Sequence, residues 1–277
     1  MTDSEYIANS GNTCGVVYAA TGAQYVTEAA ASARRLNSIA PSLPICLITD
    51  AAVSDSPFDC VRVVTEATQR KGRDAGLLFK TKHVYVCSPF ERSLFFDTDT
   101  YLCKDPRPVF DLLMHVDIAA SHGPYDNCFP CAKGIRLRAF LPLNTGVIGF
   151  RKCEACKQLF QRWHDIYATK IDSNTLRPAE NDQTSFAEAL LDSRARWCTL
   201  PVNFNARTPF LFAVRGNVWV LHDRSRDLDA VERSINKSEG IRVWVPSLRR
   251  TVEFHFLTAV RATLGRALRR FTRRRES

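Results

Sequence analysis

Short apolar segments alternate with helical segments along the first hundred residues, and this alternation constrains the fold most strongly. Four apolar runs cover residues 14–20, 43–50, 58–64 and 92–102. Residues 24–40 have helical apolar spacing before Pro41, and a second helical stretch over 76–88 stops at Pro89. Short, nearly continuous apolar runs are typical of strands that are buried on both faces. The pattern predicts an α/β fold with a mostly parallel central sheet flanked by helices.

The second half of the chain mixes strand-like and helical patterns. Apolar segments predict strands over residues 116–122, 144–150, 197–205 and 217–223. A helix is predicted over 153–167, and another begins at Asn181 or Asp182, since either residue is a suitable N-cap. We predict a polar N-terminal lead, one α/β domain and a basic amphipathic tail, which cover residues 1–14, 15–245 and 246–277.

The positive charge is concentrated at the C-terminus. The 277-residue chain has a formal net charge of +9, and residues 247–277 hold nine arginines against two glutamates. That segment therefore contributes +7 and the rest of the chain +2. An apolar stripe with steps of three and four residues runs through it: Leu257, Val260, Leu264, Leu268 and Phe271. Such a stripe with a basic remainder is typical of a helix that lies on an anionic membrane surface.

Two other interpretations of the tail stay open. In the first, the stripe packs on the domain while the arginines are solvated. In the second, which is the lesser option, the segment binds nucleic acid. No apolar run has the length of a membrane span, and the first residues lack the basic and apolar parts of a secretory signal. We expect a cytoplasmic protein that binds peripherally to the cytoplasmic face of the membrane.

Ten cysteines are scattered along the chain, and several lie in apolar segments. Reduced, buried thiols explain this distribution better than a framework of disulfides. Two Cys-x-x-Cys pairs are present, Cys128/Cys131 and Cys153/Cys156. Paired motifs of this kind also form zinc sites, so a structural zinc is the alternative to ordinary thiols.

The most informative polar residues lie where apolar runs end, which is where open α/β sheets bind their ligands. The fourth run ends abruptly in Asp97-Thr98-Asp99. Two carboxylates at this spacing point to one side of a regular strand and offer the oxygen ligands that a hard divalent cation prefers. In a reaction whose leaving group is a diphosphate, such a cation would neutralise the negative charge on that group. The alternative is a solvated turn, where Asp is common.

The first apolar run ends in small residues that let a planar base approach the backbone: Ala19, Ala20, Thr21 and Gly22. Further segments follow in order: residues 88–102 around the Asp-x-Asp motif, LNTGVIGF at 143–150, NDQTSF at 181–186, and LPVNFNAR with VWVLHDR at 200–207 and 218–224. Together with VVYAATG at 16–22, they resemble the nucleotide-sugar glycosyltransferases of the Rossmann-like GT-A fold. The similarity is greatest to the group around glycogenin and the bacterial lipopolysaccharide galactosyltransferases, and it extends from about Gly15 to Asp223.

The resemblance implies a donor site with a metal ion. Mn²⁺ or Mg²⁺ would be held by Asp97, Asp99 and His222, and Asp97 would also contact the donor ribose. Residues 19–22 would hold the base and ribose. Lys80 occupies the place of a basic residue near the donor, and Arg73 is a second basic candidate for the phosphates; ordinary surface charge is the alternative for both. A histidine at a strand end without a ligand is the alternative for His222.

The resemblance also implies a sugar pocket and a reaction. Asn144, with Thr145 and Gly146, would line the pocket, and Asp182 and Gln183 would contact the transferred sugar. The implied reaction moves a hexose from a UDP-sugar to a glycan or lipid-linked acceptor with retention of anomeric configuration. Asp182 is the candidate nucleophile, although a front-face mechanism needs none.

The chain departs from the family after His222, where a Gly and a Lys normally lie near the diphosphate. Arg224 and Arg226 stand here instead, and arginine can hold phosphate through two hydrogen bonds. One alternative is a sugar nucleotidyltransferase, but its Gly-rich, Arg-containing loop is absent after the first strand. The other is a basic membrane- or nucleic-acid-binding protein on a catalytically inactive GT-A scaffold.

Overall fold

The structure is a computed structural model that describes residues 13–54, 56–65, 72–124, 141–177, 180–224 and 227–253. Its strands are β1 (Cys14–Ala20), β2 (Ile45–Thr49), β3 (Cys60–Val63), β4 (Arg92–Phe96), β5 (Thr100–Leu102), β6 (Ile118–His122), β7 (Leu143–Arg151), β8 (Trp197–Leu200), β9 (Phe212–Val214), β10 (Val220–His222), β11 (Arg242–Val245) and β12 (Arg250–Glu253). Its helices are α1 (Ala23–Ile39), α2 (Arg73–Cys87), α3 (Pro108–Leu112), α4 (Glu154–Asp172), α5 (Asp182–Asp192) and α6 (Leu228–Ile235).

The main sheet has seven strands in the order β3-β2-β1-β4-β7-β6-β8. The first four run parallel to one another, and β8 runs parallel to β6. Only β7 is antiparallel to its neighbours in this sheet, β4 and β6. The prediction of a mostly parallel sheet is therefore confirmed.

Helices cover both faces of the strands. Successive side chains of a strand point to opposite faces, so the apolar run of β4 contributes to two layers. Phe96 packs in the layer that contains Leu36 of α1, whereas Phe95 packs in the layer that contains Phe160 and Trp163 of α4. Burial of both strand faces explains why these segments are continuously apolar instead of alternating.

The segment predicted as one strand over 92–102 is divided by a turn. β4 ends at Phe96 in the main sheet, and β5 pairs with β10 in a separate two-stranded sheet. Between them, the backbone N–H and the hydroxyl of Thr100 both donate to the Asp97 carbonyl, at 3.2 and 2.8 Å. The strand therefore does not continue regularly through Asp97 and Asp99, and a turn places both carboxylates.

A small apolar cluster packs around β10. It includes Leu221 of β10, Val231 and Ile235 of α6, and Trp244 of β11. The guanidinium of Arg242, which is fully buried, donates to the carbonyls of Gly216, Ile235 and Gly240. These contacts fix the part of the chain that presents His222 to the main sheet.

Part of the predicted tail belongs to a sheet. β9, β11 and β12 form a three-stranded sheet in which β12 pairs antiparallel with β11, beyond the predicted boundary at residue 246. The apolar stripe from Leu257 to Phe271 lies outside the described residues, so its interpretation stays a prediction. Among the residues that the structure describes, every helix is too short or too polar to span a bilayer.

The second Cys-x-x-Cys pair has a local structural explanation. Cys153 is the N-cap of α4, and its Sγ accepts from the backbone N–H of Cys156 at 3.4 Å. The buried Cys156 thiol donates to the carbonyl of Asp117 at 3.2 Å. Cys128 and Cys131 lie outside the described residues, so the zinc alternative is not tested.

Candidate active site

A cleft at the carboxyl ends of β1 and β4 brings most of the predicted site residues together. It is lined by Ala19, Ala20, Thr21, Arg73, Lys80, Asp97, Asp99, Asn144, Thr145, Gly146, Asp182, His222 and Arg224. Gly22 does not line it; this residue precedes α1 with a φ of 77°, and its N–H donates to Asp50 Oδ1 at 3.1 Å. Gln183 also does not line the cleft but lies behind Asn144, and Arg226 is outside the described residues.

Asp97, Asp99 and His222 form one cluster in this cleft. His222 is in register with Thr100 where β10 pairs with β5, so the imidazole lies beside the turn that carries both carboxylates. His222 Nε2 is 3.3 Å from Asp99 Oδ1 and 3.8 Å from Asp97 Oδ2. One ligand atom from each residue lies within 4.8 Å of the others, and no other group of three such residues meets this condition in the described chain.

The cluster fits a divalent cation. Adjacent ligands of an octahedral ion with bonds of about 2.1 Å lie about 3 Å apart, close to the spacing between His222 and Asp99. Two carboxylates and one imidazole also suit Mn²⁺ or Mg²⁺ by ligand chemistry. The carboxylates are half-buried and open to the cleft, so an ion held there would still have positions for a ligand.

The two carboxylates differ in proton affinity. Burial acts most strongly on Asp97 and raises its pKa, although Lys80 and His222 oppose this effect; Asp99 and Asp182 add smaller increases. Burial also acts to raise the pKa of Asp99, but the opposite effects of His222 and Arg224 outweigh burial, so its pKa lies well below the usual range. Asp99 is thus held as a carboxylate on the side of the cluster that faces Arg224.

Lys80 of α2 lies under the cluster as a buried cation. Its Nζ is 2.7 Å from Asp182 Oδ2 and 3.5 Å from Asp97 Oδ1. Burial acts to lower the pKa of Lys80, but the two carboxylates more than compensate and raise it. Lys80 is 4% exposed and Asp182 1% exposed, so this ion pair neutralises the floor of the cleft.

The start of α5 delivers Asp182 to that position. Asn181, one of the two N-cap candidates from the sequence, is the N-cap, and its side chain accepts from the Gln183 N–H at 3.0 Å. Asp182 Oδ1 accepts from Thr145 of β7 at 3.3 Å, and its backbone carbonyl accepts from Trp163 Nε1 of α4 at 2.9 Å. Together with Lys80, these two contacts hold Asp182 on three sides.

Two residues of this region were missed by the sequence analysis. Asn205 is buried between Asn144 and His222, with distances of 2.8 Å to each side chain. Arg207 lines the cleft near the carboxylates, and its Nε has no hydrogen-bond partner among the described residues. Burial acts most strongly on Arg207 and lowers its pKa, although Asp99 and Asp97 oppose this effect. Both residues belong to the LPVNFNAR segment, whose resemblance to the family was the signal that could have identified them.

The fold is similar to those of solved glycosyltransferases. The glycosyltransferase GlyE of Streptococcus pneumoniae TIGR4 matches with a TM-score of 0.54 and 14% identity over 78% of this chain and 56% of GlyE. The bifunctional glycosyltransferase WbbM matches with a TM-score of 0.51 and 12% identity over 78% of this chain and 46% of WbbM. The galactosyltransferase LgtC, in complex with donor and acceptor sugar analogs, matches with a TM-score of 0.50 and 13% identity over 76% of this chain and 87% of LgtC.

This chain thus spans about half the length of GlyE and of WbbM. No protein-family model matches the sequence, and no curated protein matches it either. At this level of identity the similarity concerns the fold, and the predicted GT-A fold is confirmed. The chain has the GT-A fold of these glycosyltransferases, with an Asp-x-Asp and histidine cluster at the carboxyl edge of its central sheet.

Proposed function

We propose that this protein is a metal-dependent glycosyltransferase that uses a nucleoside diphosphate sugar as donor. The observation that carries the proposal is the cluster of Asp97, Asp99 and His222, which opens into a cleft of a GT-A fold. A divalent ion bound there would neutralise the charge that develops on a diphosphate leaving group. Mn²⁺ or Mg²⁺ as the ion, and UDP-hexose as the donor, follow from the family resemblance.

The lining of the cleft supports this donor class. The backbone at Ala19 to Thr21 offers a flat approach for a base, and Tyr25 lies beside it. Arg207 and Arg224 lie around the carboxylates, on the side where phosphate oxygens would meet a bound ion. Guanidinium groups bind phosphate through paired, charge-assisted hydrogen bonds. These two arginines therefore take the role that Gly and Lys have in the resembling family.

The contacts of Asp182 favour transfer without a covalent intermediate. A carboxylate that attacks a sugar carbon needs an oxygen directed at that carbon and free of a strong partner. Asp182 instead pairs with Lys80 and accepts from Thr145. We propose that Asp182 fixes Lys80 and that the acceptor attacks on the face of the leaving phosphate, with retention. The cleft would then act by positioning and charge stabilisation.

A panel of nucleotide sugars tests the proposal. Free nucleotide is measured for UDP-, GDP-, ADP- and CMP-linked sugars with Mn²⁺ or with EDTA, and donor binding is measured by calorimetry. We expect release from UDP-hexoses with Mn²⁺ only, and none from Asp99→Asn, because that substitution removes a metal ligand. Equal donor affinity with EDTA and Mn²⁺ would contradict the proposal. Formation of a nucleotide sugar and pyrophosphate from a nucleoside triphosphate and a sugar 1-phosphate would indicate a nucleotidyltransferase instead.

The acceptor is proposed to be a glycan or a lipid-linked glycan at a membrane surface. The basic, amphipathic sequence after residue 253 supports this proposal. Flotation with anionic vesicles compares the full chain with a chain that ends at Glu253, which keeps β12 paired with β11. We expect only the full chain to float. If both variants stay in the soluble fraction at low salt, the membrane part of the proposal is wrong.

A further inference from the structure

Three buried side chains form a line that ends at the metal cluster. Asn144 lies on β7, Asn205 follows a 3-10 turn at Val202–Phe204, and His222 ends β10. Asn144 Oδ1 is 2.8 Å from Asn205 Nδ2, and Asn205 Oδ1 is 2.8 Å from His222 Nδ1. All three residues are at most 3% exposed, so water does not compete for these contacts.

A backbone N–H determines which atoms along this line donate and which accept hydrogen bonds. The N–H of Gly146 points at the Asn144 side chain at 2.9 Å, and a backbone amide can only donate. The Asn144 atom that receives it is therefore the oxygen. The same oxygen faces Asn205, so the Asn205 atom beside it must be the amide nitrogen. The remaining Asn205 atom, which faces His222 Nδ1, is consequently the carbonyl oxygen.

An oxygen at that position requires a proton on His222 Nδ1. Each imidazole nitrogen is either a donor or an acceptor, and a neutral ring has one of each. With Nδ1 committed as the donor, Nε2 is the nitrogen that can give up its proton and offer a lone pair to an ion, and it is the one that faces Asp97 and Asp99. Without an ion, Nε2 can carry a second proton and donate to Asp99, so the proton that Asn205 fixes is the one on Nδ1. The opposite tautomer would direct an N–H from Nε2 at Asp99, which leaves no lone pair for an ion.

We propose that Asn205 is a positioning residue that holds the proton on His222 Nδ1 and so reserves Nε2 for a divalent cation. The proposal rests on the proposed metal site for its function, but the assignment of the proton rests on the hydrogen bonds alone. Asn205 contacts neither the cleft nor the cation position, so its effect passes through His222. Partners of metal-binding histidines commonly act in this way, and losing one weakens metal affinity by about 10- to 100-fold.

Variants at position 205 separate this role from a packing role. Asn205→Ala removes the acceptor, whereas Asn205→Asp keeps an oxygen beside Nδ1 but replaces the donor to Asn144 Oδ1 with a second acceptor and adds a buried charge. Asn203→Ala is a matched control, because Asn203 lies in the adjacent turn and donates to the carbonyls of Arg215 and Asn217, away from His222. Circular dichroism establishes that each variant is folded.

The first measurement is nitrogen-15 NMR of the metal-free protein, with the His222 ring assigned by its loss in His222→Gln. We expect a protected Nδ1–H signal in the wild type, Asn205→Asp and Asn203→Ala, and its loss in Asn205→Ala. The second is calorimetric titration with Mn²⁺ alone, where Asn205→Ala should bind about 10- to 100-fold more weakly than wild type and Asn203→Ala within a few-fold of it. Asn205→Asp should bind more tightly than Asn205→Ala because it keeps the acceptor for the Nδ1 proton.

Each outcome decides one question. A protected Nδ1–H that survives in Asn205→Ala, or unchanged Mn²⁺ affinity in that variant, overturns the role of Asn205. A wild-type protein with a proton on Nε2 only overturns the assignment itself. A wild-type protein with the expected Nδ1–H but no Mn²⁺ binding supports the assignment and contradicts the proposed function, so the two failures are distinguishable.

Discussion

Gly146 lies so close to His222 that any side chain at position 146 would collide with the imidazole. A Cβ on Gly146 would overlap His222 Cε1 and lie 2.7 Å from its Nδ1. It would also lie 2.9 Å from Asp97 Oδ2, so two of the three cluster residues need this space. The glycine of the Asn-Thr-Gly strand therefore makes room for the metal cluster, beyond its expected place in a sugar pocket.

We predict that Gly146→Ala lowers Mn²⁺ affinity by about tenfold or more, because the added methyl must displace His222 or Asp97. Calorimetric titration measures this effect, and thermal unfolding shows whether the fold persists. Gly149→Ala is the matched control on the same strand. Its Cβ would meet Val109 at 3.0 Å and Leu113 at 3.4 Å, which costs stability without touching the cluster. Wild-type Mn²⁺ affinity in Gly146→Ala would contradict the prediction.

Lys80 should be essential for stability because it neutralises a buried carboxylate. Lys80→Met keeps the volume of the side chain but leaves Asp182 without its counter-ion, 1% exposed. Removing one partner of a buried ion pair costs about 3–5 kcal/mol. We expect a loss of that size in the free energy of unfolding, measured by urea denaturation at neutral pH.

The double variant Lys80→Met/Asp182→Asn serves as the control for that loss. It removes both charges, so it should be more stable than Lys80→Met alone, and the double-mutant cycle should give a coupling of several kcal/mol. Additive effects of the two substitutions would mean that the pair at 2.7 Å contributes little.

Arg207 gives a prediction that separates donor binding from metal binding. Arg207→Gln removes a guanidinium that lines the cleft and whose Nε has no hydrogen-bond partner among the described residues. A charge-assisted hydrogen bond contributes about 1.5–3 kcal/mol, so UDP affinity in the presence of Mn²⁺ should fall by about 10- to 100-fold.

The affinity for Mn²⁺ alone should instead stay the same or rise in Arg207→Gln, since a cation near Asp97 and Asp99 is lost. Arg233→Gln, at an exposed position of α6, should change neither affinity. If Arg207→Gln weakens Mn²⁺ and UDP binding equally, Arg207 supports the cluster and does not bind phosphate.

The sequence predicted the elements whose pattern is local. The apolar runs identified β1, β2 and β4, and the spacing of Cys156, Leu159, Phe160 and Trp163 identified α4, because these signals repeat within a few residues. The Asp-x-Asp motif was recognisable for the same reason: an apolar strand stops abruptly at acids. What a local pattern does not contain is the turn that separates β4 from β5.

The contacts of the site depend on residues that are distant in sequence. Asn144 and Asn205 are 61 residues apart, and Asn205 lies after a short turn without periodic spacing. Its side chain acquires a role only when β7 and β10 come together. Lys80 was assigned to the donor by resemblance, whereas its ion pair with Asp182 requires the packing of α2 against the start of α5. These contacts form only when the chain is folded, so the motifs alone do not predict them.

Asp117 should make stability depend on acid pH. Its carboxylate, just before β6, contacts the end of β7 and the residue before β8: Oδ1 accepts from Arg151 at 2.7 Å, and Oδ2 accepts from the backbone N–H of Arg196 at 2.8 Å. Burial acts to raise the pKa of Asp117, but the hydrogen bonds and charges of both arginines outweigh it, so its pKa lies below the usual value. In the unfolded chain an Asp has a pKa of about 3.9.

The sign of the effect follows from proton uptake. When the pH falls below about 4, the unfolded state binds a proton at position 117 before the folded state does, so acid favours unfolding. The stabilisation from Asp117 is complete above that pH and is lost as the pH falls through the lower pKa of the folded protein. We predict that Asp117→Asn is less stable than wild type by about 1–3 kcal/mol at neutral pH, and that this gap narrows below about pH 4. Urea denaturation across this pH range measures the difference in unfolding free energy. Asp111→Asn, at an exposed position, is the control and should be as stable as wild type throughout. A difference for Asp117→Asn that stays constant down to acid pH would exclude the proposed linkage.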